Sequence, residues 1–142
     1  MFAKPSVTVD ILVTTTMGNA HKILLIKRKR SPFKDFWAIP GGYLDIDKKE
    51  TVEQAAYREL CEETCLVNLP LTLFGVYSAV DRDPRGRVIS VCYSSYITSI
   101  KDHKIQAKDD AKEYKWFSLK RLPELAFDHR TILEDFKKVW IG

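Results

Sequence analysis

One segment of this chain, residues 41–66, constrains its fold and chemistry more than any other. It reads GGYLDIDKKETVEQAAYRELCEETCL. Thr51 and Gln54 match a capping box, in which the threonine hydroxyl and the glutamine side chain satisfy backbone N–H groups at a helix start. The pattern predicts a helix that begins at Thr51 and runs to about Cys65.

Three glutamates continue the apolar stripe of this predicted helix. At about 100° per residue, Glu59, Glu62 and Glu63 fall on the side that is apolar one turn earlier, so their carboxylates point toward the protein. Neighbouring like charges destabilise a helix unless a cation lies among them, and a hard divalent cation takes oxygen ligands. The alternative is a solvated acidic face. We favour the metal site because Arg58 can hold Glu62 in a fixed rotamer, and because the Gly41–Gly42 pair lets backbone carbonyls approach a ligand closely.

The same residues resemble the Nudix box, a family pattern of Gly, five residues, Glu, seven residues and Arg-Glu-aliphatic-any-Glu-Glu-any-Gly-aliphatic. Gly42 matches the first glycine, Glu50 matches the first glutamate, and residues 58–66 (RELCEETCL) supply the remainder. Seven residues instead of five separate Gly42 from Glu50, which leaves the position of Glu50 open. Cys65 stands where the family has glycine, and we expect it to change only how the helix ends. Residues 33–42 (FKDFWAIPGG) also resemble the family's lead-in to the box.

This resemblance implies a metal-dependent hydrolase that cleaves a nucleoside diphosphate linked to another moiety. The implied ligands of Mg²⁺ or Mn²⁺ are Glu59, Glu62, Glu63 and Gly41. Arg58 and Glu50 are implied to orient the metal shell. The residues implied to be catalytic are Glu59, Glu62, Arg58 and the later acid Asp110.

The composition fits one domain, residues 1–142, with 45% hydrophobic and 30% charged residues and a net charge of +4. Three cysteines without CxxC spacing indicate reduced thiols in a cytoplasmic protein. No apolar run approaches the ~18 residues of a membrane span, so we expect no membrane partner. The sequence leaves open whether two chains pair as a homodimer.

The order of the remaining elements predicts the fold class, an α/β/α sandwich around a mixed β-sheet, and the Nudix resemblance implies the same. Apolar and β-branched runs predict a hairpin and two later strands, and polar residues 101–112 predict a loop before an aromatic strand. The predicted strands are Val7–Thr16, Lys22–Lys27, Leu69–Val80, Val88–Ile97 and Tyr114–Phe117. A last helix is predicted from Asp128 to Trp140.

Residues 27–30 (KRKR) form a basic cluster at the end of a predicted strand. In isolation such a cluster is typical of a nucleic-acid patch. No extended basic stripe with interleaved aromatic residues accompanies it, so we expect no nucleic-acid partner. A solvent-facing strand end or a phosphate-facing basic rim explains the cluster better.

Residues 81–87 (DRDPRGR) carry more charge than a turn needs. One interpretation is a surface loop held by Arg–Asp salt bridges. The other is a phosphate clamp in which the guanidinium forks of Arg85 and Arg87 bind a diphosphate.

The loop before the aromatic strand holds a second candidate acid. The Nudix family places an acidic residue at such a point to complete the metal site or activate water. Asp110 occupies the matching place, with Asp109 and Glu113 as rivals. A solvated loop acid is the alternative.

The substrate prediction depends on residues 83–88 (DPRGRV) and 125–129 (LAFDH), which resemble the ADP-ribose pyrophosphatase subgroup of the Nudix family. Phe127 and His129 are therefore candidates for substrate binding, although a histidine at a helix start is more often structural. The leading hypothesis is hydrolysis of ADP-ribose to AMP and ribose 5-phosphate. A nucleoside triphosphate or another sugar nucleotide is the second. A non-catalytic ADP-ribose sensor is the third, and the sequence disfavours it because regulators of that kind carry an added DNA-binding region.

Overall fold

A computed structural model describes residues 3–140. It contains seven strands, two helices and two short 3₁₀ turns, at Ile46–Lys48 and Ile100–Asp102. The strands are β1 (Ser6–Met17), β2 (Ala20–Arg28), β3 (Trp37–Ala38), β4 (Gly41–Tyr43), β5 (Thr72–Tyr77), β6 (Val88–Tyr96) and β7 (Ala111–Ser118). The helices are α1 (Val52–Thr64) and α2 (His129–Trp140).

All seven strands form one mixed sheet. Strand β1 is parallel to β6, and the other pairs are antiparallel: β1–β2, β1–β4, β2–β3, β2–β7 and β5–β6. β1 pairs with β2 only next to the hairpin turn, from Thr14 to Met17. Further along, β1 pairs with β4 and β2 pairs with β3 instead. The short strands β3 and β4 therefore lie between the two long ones, and the candidate site opens at this point.

One helix covers each face of the sheet. Because successive side chains of a strand point to opposite faces, β1 and β2 supply residues to two separate cores. On the α1 face the core contains Val9, Ile11, Val13, Leu24, Ala55, Ala56 and Leu60. On the α2 face it contains Leu12, Ile23, Leu25, Ile132, Leu133 and Phe136. The predicted α/β/α sandwich with a mixed sheet is confirmed.

The bounds of β5 and β7 differ most from the predictions, and the other predicted strands agree more closely. β5 is shorter than the predicted Leu69–Val80, because Leu69 is buried in the core before the strand begins and Val80 lies in an exposed turn after it. β7 begins at Ala111, three residues earlier than predicted, because Ala111 pairs with Arg28 across a register shift. Between residues 3 and 140, no helix is long and apolar enough to cross a membrane.

Candidate active site

Helix α1 begins and ends where the sequence predicts. The Thr51 hydroxyl accepts a hydrogen bond from the Gln54 N–H at 3.1 Å, and the Gln54 side chain accepts one from the Thr51 N–H at 2.8 Å. Cys65 ends the helix with a φ of 67°, and its N–H donates to the Cys61 carbonyl. This left-handed conformation is the one that glycine usually supplies at a helix end. Cys65 therefore takes over the geometry of the family's glycine.

Arg58 connects the charged residues of the box. Its Nε lies 2.9 Å and its Nη2 2.6 Å from the Glu50 carboxylate, and its Nη1 contacts Glu59 at 2.8 Å and Glu62 at 3.0 Å. Hydrogen bonding to Arg58 lowers the pKa of Glu50 to about 2. The loop with two additional residues folds into the 3₁₀ turn Ile46–Lys48, and Glu50 still reaches Arg58. The longer loop therefore leaves the Arg58–Glu50 pair intact.

Glu63 and Glu59 are the two desolvated carboxylates of this helix. Glu63 is only 5% exposed and accepts a hydrogen bond from the Gly41 N–H at 2.8 Å. Burial raises the pKa of Glu63 well above its usual value and also raises the pKa of Glu59. A Cβ at position 42 would lie 2.5 Å from the Glu59 carboxylate, so glycine is required for this close approach.

Glu62 differs from the other two glutamates. Its side chain is 35% exposed and lies between Arg58 and Lys48, whose Nζ is 4.0 Å away. The expectation that all three carboxylates point toward the protein is therefore correct for Glu59 and Glu63 only. Glu62 lies at the partly exposed edge of this helix face, whereas the next residue, Glu63, is buried.

These carboxylates fit a hard divalent cation by their chemistry. Within residues 3–140, no three acidic, histidine or cysteine side chains are already gathered as a metal shell, because Arg58 holds Glu59 and Glu62 while Gly41 holds Glu63. Burial nevertheless disfavours the charge on Glu59 and Glu63, and a cation bound to their oxygens would restore it.

A cavity of about 120 Å³, here called the central cavity, lies beside this helix. One side, the acidic wall, consists of Asp10, Glu63 and Asp110 together with Glu59, which lies behind Gly42. The other side, the basic rim, consists of Arg28, Tyr43, Arg82, Arg85 and Phe127. Carboxylates and guanidinium groups therefore line the same small space.

Arg28 and Arg85 both contact the ring of Phe127. The Cζ of Arg28 lies 4.9 Å and that of Arg85 5.4 Å from the ring centroid, and Arg85 is also 5.2 Å from the ring of Tyr43. Asp83, almost completely buried, holds Arg85 through two contacts of 3.1 and 2.8 Å. Burial, followed by the charge of Arg85, lowers the pKa of Arg28. An anion in the cavity would relieve the repulsion between these two cations.

Arg82 has a different environment from Arg85. Its side chain is 3% exposed, and its guanidinium binds the Asp128 carboxylate at 2.9 and 2.7 Å. This fork joins the loop after β5 to the residue that precedes α2. Arg82 therefore anchors the loop, and Arg85 is the arginine of this loop that combines exposure with a place at the cavity.

His129 is buried at the start of α2 and lines the central cavity. Its Nδ1 accepts a hydrogen bond from the Ile39 N–H at 3.0 Å, so the neutral ring carries its proton on Nε2, which lies 3.7 Å from Asp10. Burial lowers the pKa of His129. The Ser90 hydroxyl donates to the other Asp10 oxygen. His129 is therefore a hydrogen-bonded structural histidine at a helix start that also lines the central cavity.

The three candidate acids Asp109, Asp110 and Glu113 have different environments. Asp110 lines the central cavity, and its carboxylate lies 3.3 Å from Arg30 Nε. Asp109 has a φ of 51°, and its carbonyl accepts a hydrogen bond from Lys29. Glu113 pairs with Lys27 at 3.6 Å on β7. Of the three, Asp110 is the one that reaches the site.

Arg87 does not reach the central cavity, contrary to the clamp hypothesis. It directly precedes β6, where Val88 lines that cavity, so alternation turns Arg87 and Ile89 to the opposite face. There Arg87 lies beside residues 3–5. The structure therefore places Arg85 at the central cavity and Arg87 away from it, and the part of the clamp prediction that concerns Arg87 stays a prediction.

Three residues of the site were not predicted from the sequence: Asp10, Tyr43 and Ser90. Arg28 was predicted only as part of the basic cluster 27–30, and Arg82 and Asp83 only as part of the charged loop 81–87. Asp10 had a signal, since it is the single charged residue in the strand-like run VTVDILVTTT. A charge in the middle of a buried strand is costly unless it is paired, and this one faces Ser90 and His129.

Comparisons with known proteins agree with this geometry. A family model described as NUDIX domain matches residues 4–136. An ADP-ribose pyrophosphatase from Methanocaldococcus jannaschii is 45% identical over 138 residues, which cover 97% of this chain and 76% of that protein. The ADPR responsive transcriptional repressor NtrR from Acinetobacter baylyi is 30% identical over 135 residues, covering 94% of this chain and 53% of that protein. The NUDIX domain of Shewanella oneidensis NrtR, solved with ADP ribose, has a TM-score of 0.88 at 29% identity, with 97% of this chain and 90% of that one covered.

Proposed function

The chain belongs to the Nudix family, and from this premise we propose that it is a pyrophosphohydrolase that converts ADP-ribose to AMP and ribose 5-phosphate. The observation that carries the proposal is the meeting of the acidic wall and the basic rim in one cavity. A diphosphate needs cations on both sides, and here guanidinium groups stand on one side and desolvated carboxylates, suited to a divalent cation, on the other. The 45% sequence identity with an ADP-ribose pyrophosphatase supports ADP-ribose as the substrate.

We assign the metal, Mg²⁺ or Mn²⁺, to the acidic side. Glu59 and Glu63 would hold it, with Glu62 and the Gly41 carbonyl as further oxygen donors. When bound, the metal neutralises the pyrophosphate and lowers the pKa of the attacking water. Arg58 contributes by fixing the rotamers of Glu59 and Glu62, and Glu50 in turn holds Arg58.

Proton transfer and substrate binding fall to other residues. Asp110 stands at the cavity with a carboxylate that can accept the proton of the attacking water. Arg85 and Arg28 supply guanidinium donors to the diphosphate, and Phe127 gives both a fixed face to pack against. His129 supports the Asp10 side of the cavity from its Nε2.

A binding protein without turnover is the second candidate, because one relative is a repressor described as ADPR responsive and the NUDIX domain of another was solved with ADP ribose. The desolvated pair Glu59 and Glu63 favours the enzyme, since buried carboxylates cost stability and contribute nothing to holding an anion.

The free thiols of Cys61, Cys65 and Cys92 support a cytoplasmic location.

Product analysis separates the two candidates. The protein is incubated with ADP-ribose and Mg²⁺, and AMP and ribose 5-phosphate are quantified beside a Glu59→Gln control. If the protein is an enzyme, the natural protein produces AMP and ribose 5-phosphate in equal amounts, and the Glu59→Gln control produces much less of both. Tight binding of intact ADP-ribose without either product would instead establish the sensor.

A further inference from the structure

Residues 39–41 connect β3 to β4 and carry the backbone part of the candidate metal site. The Gly41 N–H holds the buried Glu63 carboxylate at 2.8 Å, and the Gly41 carbonyl is one of the oxygen donors proposed for the metal. A Cβ at position 41 would lie 2.6 Å from an Asp10 oxygen, so little free space surrounds this backbone. The position of Gly41 therefore depends on what holds the connection between the two short strands.

One side of this connection is held by ordinary strand pairing with β1. The Ile11 N–H donates to the Pro40 carbonyl at 2.8 Å. Gly41 pairs with Asp10 in the antiparallel ladder between β1 and β4. These bonds fix the connection from the β1 side only.

The other side faces the residues that lead into α2. Trp37 and Leu125 form a parallel bridge. The Trp37 N–H donates to the Glu124 carbonyl at 3.3 Å, and the Trp37 carbonyl accepts the Ala126 N–H at 2.8 Å. In a parallel ladder the next bond would run from the Ile39 N–H to the Ala126 carbonyl.

A side chain replaces the backbone acceptor at that step. The Ala126 carbonyl accepts the His129 N–H at 3.1 Å, because the chain turns at Phe127, whose φ is 52°, and enters α2. The Ile39 N–H donates to the Nδ1 of His129 at 3.0 Å instead. The imidazole therefore continues the ladder where the backbone of residues 124–126 leaves it.

The bond between Ile39 and His129 is shielded from water. Ile39 is 2% exposed and His129 is 4% exposed. Without Nδ1 the buried Ile39 N–H would lack an acceptor, and the backbone would have to move to find one. Only Pro40 separates Ile39 from Gly41, and its ring fixes one of the few dihedral angles between them. A shift at Ile39 is therefore transmitted to Gly41.

We propose that His129 is a positioning residue of the metal site: its Nδ1 holds the Ile39 N–H and thereby fixes Gly41 and the Glu63 carboxylate that Gly41 binds. This inference rests on the metal site of the proposed function. In this role His129 acts through the backbone and not by contact with the substrate.

Three substitutions at one position separate the two nitrogens of the ring. Asparagine places its amide oxygen near the position of Nδ1, so His129→Asn keeps an acceptor for the Ile39 N–H. Glutamine places its amide near the position of Nε2, so His129→Gln keeps a donor toward Asp10 only. His129→Leu keeps neither group. All three variants lose the imidazole, so any effect of lost packing is common to them.

The test measures metal binding without turnover. Mn²⁺ is titrated into the natural protein and the three variants, and free Mn²⁺ is quantified by electron paramagnetic resonance. Amide hydrogen exchange of residues 38–43 is followed in the metal-free proteins, and Tm is recorded for each. His129→Gln and His129→Leu remove the acceptor in two independent ways, so either one that folds completes the comparison with His129→Asn.

The proposal predicts that His129→Gln and His129→Leu weaken Mn²⁺ binding at least about tenfold, the order found when residues that orient metal ligands are replaced. The amides of Ile39 and Gly41 exchange faster in these two variants. His129→Asn keeps both the Mn²⁺ affinity and the slow exchange close to those of the natural protein, although Tm falls in all three.

Three results would overturn the inference: equal losses of Mn²⁺ affinity in all three variants, an affinity retained by His129→Gln alone, or an unchanged affinity throughout. A natural protein that does not bind Mn²⁺ would refute the metal site and this inference with it. Turnover judges the proposed function separately. A protein that shows the predicted pattern and leaves ADP-ribose intact would refute the enzyme and keep the positioning role of His129.

Discussion

The acidic wall and the basic rim are built in opposite ways. Two of the four acidic-wall residues, Glu59 and Glu63, come from helix α1, where neighbours in the sequence such as Arg58 and Glu62 hold each other in place. The basic rim joins residues that lie far apart in the chain, and all of them except Arg82 meet through ring contacts. A wall built from local contacts keeps its chemistry when the rest of the chain changes, whereas a rim built from distant residues can change its ligand. We therefore expect the wall to set turnover and the rim to set substrate preference.

The largest expected effect comes from the acidic wall. Glu63→Gln removes one ligand charge while keeping an acceptor for the Gly41 N–H, so kcat for ADP-ribose should fall at least about 100-fold with little change in Tm. Glu53→Gln makes the same chemical change on the exposed side of the helix and should leave kcat unchanged. Full activity of Glu63→Gln, or of the natural protein in a chelator, would refute the metal site.

The second effect concerns Asp110, the acidic-wall residue on the loop before β7. Asp110→Asn should lower kcat about 100-fold, the lower end of what a positioned general acid or base contributes. The change costs within about 0.5 kcal/mol of stability because Asp110 is exposed. The neighbouring Asp109→Asn serves as the control. If Asp109→Asn is the slow variant, the water-activating acid has been assigned to the wrong residue.

A third, smaller effect distinguishes the two arginines of the rim loop. Arg85→Ala should raise KM for ADP-ribose about tenfold with kcat nearly unchanged, because it removes binding that the ground state and transition state share. Arg87→Ala should match the natural protein, since its side chain lies on the opposite face. Equal effects of both variants would restore the original clamp hypothesis.

The smallest effect concerns the helix that carries the acidic wall. Thr51→Ala removes the N-cap acceptor and should lower the free energy of unfolding by about 1 kcal/mol, while Thr51→Ser should keep it. Denaturant titration measures both. An unchanged stability of Thr51→Ala would show that packing of the helix on the sheet, and not its cap, fixes its start.

The contrast between wall and rim also explains what could be predicted from the sequence. The caps of α1, the Arg58–Glu62 contact and the burial of Glu63 follow from helical spacing, because residues four apart share a face. The two cores follow from the continuous apolar runs in β1 and β2, because successive side chains of a strand point to opposite faces. These relations are local, so the sequence contains them directly.

The rim residues could not be predicted in the same way. Nothing in the spacing of Arg28, Tyr43 and Phe127 indicates that they meet, because their contact depends on how β2, β4 and α2 are placed around the gap in the sheet. The place of Arg87 could not be predicted for the same reason. Its direction is set by the register of β6, which composition alone does not give.

Substrate preference tests the central claim most directly, because we expect turnover to depend on the acidic wall and the choice of substrate to depend on the basic rim. The measurement is kcat/KM for ADP-ribose, dGTP and 8-oxo-dGTP on one preparation of the natural protein and of Arg85→Ala. The account predicts a preference for ADP-ribose in the natural protein and a reduced preference in Arg85→Ala, with all turnover dependent on a divalent metal. A preference for either triphosphate, or a preference for ADP-ribose that Arg85→Ala leaves untouched, would contradict it.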